Sequence, residues 1–538
     1  MKKKSKKSSE KELKFNQLIK SIFTPIHDLR KQSYFEIATS AFLYLFLSSF
    51  ALIISKNAYA DITATKLYTL IAMFGLWLIL LIVGFVDKIK EKQVNLAYFK
   101  GAVRNVSVTD IALISYTLIA FISAIFSEYR YSAFMGVKAR NEGFLIQLLY
   151  ISTFFILSRT YVNKWELKIF AAASIPVSLL GIMQINGYYV GAITYDITRY
   201  GRSFISTIGN IDVVSTYLVV PIILFTVMYC QSKEKFWRFL YMAAAGFAFY
   251  LVILMKVRSG FVGMIGSVGL MFPFIAKDRI SASRIFQMFS LLAFLVYLEG
   301  QIAGIGTRDF VFFKDFWSDL FFLGAMGFLV ISLTILFVGK YVKVEKKFIW
   351  PVFYYALAIV AGLGVVKYAM SMETRPPRRS VMTILYEMGQ ILKGNISDDF
   401  GSSRIYAWKV GYRFFKEKPI LGHGPDTIRD LWMIEEYKVS MERSNVIFDK
   451  LHNDYLQVLV TTGILGLVSY LTFQVSLFFR SFKKFDQPLV VALATTGLCF
   501  CGQAVFNIGV PIVSPYGWII FGMLAALLVD HKERKIEE

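Results

Sequence analysis

The sequence predicts an all-α polytopic membrane protein with one large extracytoplasmic loop, on three observations. Hydrophobic residues make up 56% of the 538 residues, against roughly 45–50% apolar in soluble domains, an excess that globular cores cannot absorb. They come in stretches near the ~20 residues a helix needs to cross a bilayer. Lys and Arg number 59 against 37 acids, net charge +22, and this excess is distributed as a topology signal.

The first 36 residues are basic and lack an early apolar run, so they are expected to be a cytoplasmic tail rather than a cleaved signal peptide. Candidate spans follow at Ile37–Ser55, Leu67–Val86, Ile111–Ser127, Gly143–Ser158, Ile169–Ile185, Ile211–Cys230 and Phe239–Met255. A second set lies at Ser259–Ala276, Ile285–Gly304, Leu320–Gly339, Phe348–Val366, Tyr455–Phe479, Pro488–Asn507 and Val513–Val529. These make about 14 transmembrane helices, 12–14 in all. Gly143–Ser158 is short, and only Asn507, Gly509 and Pro511 separate the last pair. With the N-terminus inside, 34 of the basic residues fall in inner segments and 12 in short outer ones. That bias places both termini in the cytoplasm. The expected organisation is a basic tail (1–36), helices 1–11 (37–368), an extracytoplasmic catalytic loop (369–454), helices 12–14 (455–529) and a cytoplasmic tail (530–538).

The long loop opens on Arg375, Pro376, Pro377, Arg378 and Arg379 and continues with an amphipathic helix from Val381 to Lys393. A second helix is predicted from a Ser402–Ser403 cap, with Ile405, Trp408, Tyr412 and Phe415 on one face as a packing stripe. A turn at Pro419–Pro425 and a third helical stretch precede re-entry at Leu451.

Of the four histidines, His27 and His531 fall in the tails, and His423 and His452 in the outer loop. His452 stands where the loop meets a helix, a setting for a base of near-neutral pKa or for a helix-entry hydrogen bond. His423, between Gly422 and Gly424, reads as part of a tight turn. Outer-face arginines run against the topology bias. Arg258, beside Lys256, occupies a very short turn where a charge is costly and marks a ligand path or snorkels to lipid. Arg202 precedes Asn210 and Asp212 at a helix start, and arginines with helix N-termini make anion sites. Arg140 has Glu142 as a neighbouring partner, and Arg404 opens the second loop helix. Several guanidinium groups and a histidine at the outer surface suit a lipid-linked diphosphate. No clean metal-ligand spacing occurs, Asp398 and Asp399 read as loop solvation, and no nucleotide-binding or nucleophile-elbow motif is present. Metal-independent chemistry with no cofactor is therefore expected. Cys230, Cys499 and Cys501 lie in apolar segments, so no disulfide framework is expected.

Ser403-Arg404-Ile405-Tyr406-Ala407-Trp408, Pro419-Ile420-Leu421-Gly422-His423-Gly424, and His452-Asn453-Asp454-Tyr455-Leu456-Gln457 with Gly463-Ile464-Leu465-Gly466 together resemble the signature of the O-antigen ligase and polymerase superfamily. Arg202 before Gly209-Asn210, and Arg258-Ser259-Gly260, resemble its outer-face arginine motifs. The resemblance runs in order from about Arg130 to Val529, its specificity lying in the combination. It implies a GT-C-like bacterial glycosyltransferase of the cytoplasmic membrane, acting on a glycan carried by undecaprenyl diphosphate, with inversion and without metal or nucleotide. By that resemblance Arg202, Arg258 and Arg404 bind the donor diphosphate and His452 serves as base or orients the acceptor hydroxyl. Arg140, Lys256, Asn210, His423 and Asn453 are supporting candidates. The implied partners are the lipid-linked donor, a glycan, lipid or protein acceptor, and membrane lipids, with no nucleic acid. Asn210-Ile211-Asp212 departs from the Asn-Pro-Asn turn common there, and the extra spans suggest an N-terminal addition. A ligase or O-oligosaccharyltransferase is the first reading and a polymerase of lipid-linked repeat units the alternative. A flippase is disfavoured because its polar residues would lie near the midplane.

Overall fold

A computed structural model of the chain describes residues 33–90, 106–138, 140–161, 165–190, 203–257, 259–302, 316–338, 349–376, 382–444 and 447–529. Arg202, Arg258, Arg378, Arg379, His27 and His531 lie outside the described residues. The helices are α1 (Tyr34–Ser49), α2 (Ile62–Lys90), α3 (Val108–Phe126), α4 (Arg130–Met135), α5 (Phe144–Thr160) and α6 (Trp165–Ile185). A small antiparallel hairpin, β1 (Phe204–Ile205) and β2 (Gly209–Asn210), leads into α7 (Ile211–Gln231), α8 (Lys235–Met255), α9 (Ser259–Ile275), α10 (Arg279–Ile302), α11 (Phe316–Val338) and α12 (Ile349–Ser371). The long loop contributes α13 (Met382–Leu392), α14 (Phe400–Glu417), α15 (Ile428–Leu431) and α16 (Tyr437–Ser444), the last two joined by a π-helical turn. The chain closes with α17 (Asp454–Phe482), α18 (Pro488–Ala504) and α19 (Ser514–Leu528).

Each apolar stretch singled out above overlaps a described helix, although α1 ends at Ser49 and stops short of Ser55. Among the described residues nine helices are long and apolar enough to cross a membrane, and four shorter apolar ones, α5, α9, α18 and α19, pack with them. The fold is therefore an all-α membrane architecture. Apolar on all sides, α7 occupies its centre, with 89% of its most hydropathic stretch buried, whereas the same measure is 6% for α12. Around α7 lie α8, α9, α10 and α18. The last two helices are separate and pack against each other, with 505–513 as their connection.

Ion pairs and hydrogen bonds fix the helix ends. Ser107 and Asp110 form a capping box on α3, and Arg159 reaches Asp110 at 3.0 Å from α5. Arg480 of α17 donates to Ser107 at 2.8 Å and to Thr109 at 3.1 Å. At the opposite ends, the buried Lys66 ammonium donates to the carbonyls of Phe50 (2.6 Å) and Ala51 (2.9 Å) just past α1. Those terminal carbonyls would otherwise be orphaned. Thr207 also donates to Ala51 (2.7 Å), and Tyr59 donates to the Ser206 carbonyl (2.8 Å). The β hairpin is thus anchored to the N-terminal helices ahead of α7.

One helix is broken by design of its sequence. At Gly463 of α17 the backbone turns to φ 68° and ψ −172°, and the freed carbonyls are taken by the 419–424 turn. His423 N–H donates to Val460 O (3.1 Å), Gly424 N–H to Thr461 O (2.8 Å), and Ile464 N–H to Pro419 O (2.9 Å). Ser123 of α3 adds a bond to Thr461 O at 2.8 Å. The approach is possible only without side chains: a Cβ at Gly463 would lie 2.1 Å from Ile420 O, and one at Gly422 2.4 Å from the Thr461 carbonyl carbon. Gly463→Ala is therefore expected to lower the thermal unfolding midpoint in detergent, by strain of about 1–3 kcal/mol. Gly75→Ala in α2, where a Cβ meets nothing within 4 Å, is expected to leave it unchanged or raise it slightly.

Candidate functional site

The loop helices assemble around small contacts. Gly389 of α13 lies where a Cβ would be 2.0 Å from Ala369 O, so α13 packs directly on the end of α12. The chain then reverses through Gly401, Ser402 and Ser403, all with φ near +60°. Glu387 accepts from Gly401 N–H at 3.0 Å, and Arg375 pairs with Glu387 (3.2 Å) and Asp399 (2.6 Å). The regular part of α14 consequently begins at Arg404 rather than at a Ser402–Ser403 cap. Asp398 is paired as well, with Lys409 at 2.8 Å.

The face of α14 turned inward is also shifted from the aromatic stripe read in the sequence. Tyr406, Ala407, Val410, Gly411 and Phe414 are buried, whereas Tyr412 is 51% exposed. Gly411 helps set this face because it lets Leu451 approach: a Cβ there would be 2.7 Å from the Leu451 Cδ1. Bulk drew attention to the aromatics, but the glycine marks the contact. Trp408, at the edge of that face, donates its indole N–H to the Leu451 carbonyl at 3.0 Å.

His452 follows immediately, in the left-handed region at φ 50°, where histidine is tolerated better than most residues. The peptide before it is gripped on both sides, since Gln457 Oε1 accepts from Leu451 N–H at 3.2 Å. Asn453 then caps α17, accepting from Leu456 N–H at 3.0 Å. Asp454 Oδ1 accepts from Gly509 N–H at 3.0 Å, which ties the start of α17 to the 505–513 connection.

Two ion-pair groups hold the two residues upstream. Arg140 grips Asp449 through Nε (2.8 Å) and Nη2 (3.0 Å), a bidentate pair. Buried Lys450 sits 2.8 Å from Asp426 Oδ1 and 3.0 Å from Glu142 Oε2. Asp426 Oδ2 accepts from the backbone N–H groups of Val137 and Glu142, both at 3.0 Å, and Ser514 donates to Glu142 Oε1 at 2.7 Å. The partner of Arg140 is thus Asp449, while Glu142, its sequence neighbour, serves Lys450. Burial works against the Lys450 charge, but Asp426 and Glu142 outweigh it and hold its pKa above the ordinary lysine range.

The His452 imidazole, held edge-on to Phe448 at 6.3 Å, has a buried Nδ1 with no hydrogen-bond partner. Its pKa is pushed down to about 4, first by burial and then by the Arg404 guanidinium, with Asp212 opposing. Desolvation and an adjacent cation both penalise the imidazolium, a combination that its position in the sequence alone does not show. Arg404 shares this environment. Its Nη1 donates to Gly401 O at 2.9 Å, its Nε is buried without a partner, and burial lowers its pKa against the pull of Asp212 and Glu387. Gln457 Nε2 is a third buried group without a partner. Buried donors and acceptors left unpaired are costly, and three of them along α14 and the 451–457 turn mark a place for a polar ligand.

The remaining candidates have structural employment. His423 Nε2 lies 2.8 Å from Phe414 O within the buried turn, and burial lowers its pKa. Asn210 caps α7 by accepting from Asp212 N–H at 2.9 Å. Lys256 occupies the left-handed position that ends α8. Flanking Arg258, the Ser259 hydroxyl is buried without a partner.

Sequence reading did not single out Asp212 as a charge facing the site, nor Asp426, Asp449, Lys450 or Asn507. Asn507 Nδ2 donates to Asp212 O at 3.2 Å and to Thr216 Oγ1 at 2.6 Å, locking the start of α7 to the last connection.

Fold and site define a multi-pass membrane protein with a cation and a desolvated histidine gathered at one end of its helices. A family model described as O-antigen ligase matches residues 318–471. This stretch runs from α11 into α17 and contains Arg404, His423 and His452, and it supports the O-antigen ligase superfamily resemblance carried by those motifs. At a coarse level the matched stretch points to ligase- or polymerase-like glycan transfer. No curated protein matches the chain.

Replacing Lys450 with Met leaves two carboxylates buried without their counter-ion. A loss of about 3–5 kcal/mol of stability is expected, read as a lowered unfolding midpoint, with partial recovery when Glu142→Gln and Asp426→Asn are added.

Proposed function

We propose that this chain transfers a glycan from an undecaprenyl-diphosphate carrier to an acceptor hydroxyl at the outer face of a bacterial cytoplasmic membrane, as a ligase or O-oligosaccharyltransferase. The observation that carries this reading is the pairing of Arg404 and His452, each with a buried unpartnered nitrogen, inside the stretch that matches the O-antigen ligase family. In this proposal 369–454 is the extracytoplasmic catalytic loop, both termini are cytoplasmic, and about 14 (12–14) helices span the membrane. The chemistry is inverting and needs no metal.

Arg404, with Arg202 and Arg258, neutralises the leaving diphosphate, which supplies the driving force without a nucleotide. His452 is uncharged at neutral pH and so free to accept the acceptor hydroxyl's proton. A pKa of about 4 makes it a weak base while Arg404 is its uncompensated neighbour. Arrival of the diphosphate offsets the Arg404 charge, and the imidazole becomes more basic when the donor is bound. Base strength is thereby coupled to donor occupancy.

His452→Ala is expected to abolish transfer from a lipid-linked donor while the protein still inserts and binds donor; normal turnover by that variant would remove the base assignment. The pH profile supplies a second check. Above its ordinary 6.5 the histidine is neutral both in an exposed setting and here. Because kcat/KM reports the free protein, it should stay flat as pH falls through 6.5 and decline only near pH 4, whereas an exposed base would decline through 6.5. Donor-saturated kcat should decline at a higher pH than kcat/KM.

A further inference from the structure

One aromatic pair stands beside the site, partly open to its surroundings. Trp408 and Phe506 are half-buried, with ring centroids 6.2 Å apart and planes inclined by 35°. Trp408 lies four residues after Arg404 on α14, about one turn (~6 Å) along the same face. Its indole is pinned by the bond to the Leu451 carbonyl, the peptide that leads into His452. Phe506 precedes Asn507, whose side chain holds Asp212 O at 3.2 Å. The aromatic wall is thus fixed from two independent elements, and both connect directly to the groups around the histidine.

We infer that Trp408 and Phe506 form the subsite for the sugar ring joined directly to the donor's diphosphate, which rests on the glycan-transfer reading above. A diphosphate held at Arg404 places that first ring one short step away, and one helical turn separates the guanidinium from the indole. A pyranose presents a face of C–H groups, weakly positive, that lies against the negative face of an aromatic ring, while its rim hydroxyls seek polar partners. Gln457 Nε2, buried and unpartnered beside the Leu451 peptide, supplies a donor for that rim. The anomeric carbon then falls between Arg404, which receives the leaving group, and His452, which serves the incoming hydroxyl. The bond from that carbon to the phosphate oxygen breaks as the bond to the acceptor oxygen forms. The acceptor's proton passes to His452, and the diphosphate departs with the electron pair.

The test uses the full chain in lipid nanodiscs with two probes, bare undecaprenyl diphosphate and undecaprenyl diphosphate carrying one N-acetylhexosamine. The wild type should bind the sugar-bearing lipid more tightly. Phe506→Ala should weaken that binding by about tenfold, the scale of one lost aromatic contact, and erase the preference over the bare lipid. Phe506→Tyr should restore it. Trp408→Phe keeps a ring but loses the bond to Leu451 and should retain the preference that Trp408→Ala loses. Equal weakening of both lipids in Phe506→Ala, or no weakening of either, overturns the subsite and leaves the transfer reading standing. Failure of the wild type to bind either lipid overturns both.

Discussion

Lys450 is buried between Asp426 and Glu142, and the geometry of the site depends on that arrangement. Three segments distant in sequence meet there: the entry to α5, the end of the 419–426 turn and the irregular segment that leads to His452. Each ion alone would be expensive to bury, and together, with two backbone N–H groups and a serine on the carboxylates, they are satisfied. The result fixes the chain one residue before Leu451, whose peptide is then held by Trp408 and Gln457. A histidine in a left-handed conformation with an unpartnered ring nitrogen is locally unfavourable. It persists because the residues on either side are over-determined.

The same economy governs the electrostatics. Arg140 is neutralised by Asp449 and Lys450 by two carboxylates, whereas Arg404 has only a carbonyl bond and the more distant fields of Asp212 and Glu387. A cation of this kind is incompletely satisfied by the protein, which is the condition an anionic ligand meets best. The adjacent imidazole, kept uncharged, does not compete for that anion. In the proposed reaction, binding and proton acceptance thus fall to different side chains because of their surroundings rather than their intrinsic chemistry.

The membrane helices were legible because a bilayer imposes a length and an apolar composition on each of them, and each apolar stretch in the sequence overlaps a described helix. Of the motif residues, Arg404 and His452 share one environment, while His423 and Asn453 are occupied in a turn and a helix cap. What the sequence concealed were relations. Nothing in the string says that Arg140 reaches 309 positions along the chain to Asp449, or that Lys450 needs both Asp426 and Glu142. The inward face of α14 was misread because large aromatics are conspicuous and small residues are not, although Gly411 is what lets a neighbour come close. Three consecutive positive φ angles at 401–403 replaced an ordinary serine cap, a choice made by Glu387 and Arg375 from other elements.

The interruption of α17 at Gly463 has a further meaning for how such a loop is carried. One joint between the loop and the membrane helices is made of main-chain bonds between the 419–424 turn and the carbonyls of residues 460 and 461. Main-chain bonds are indifferent to side-chain identity, so this joint behaves as a fixed socket. Exposed positions on the loop helices, such as Tyr412, can vary in the surface they present while His452 stays in register with the bundle.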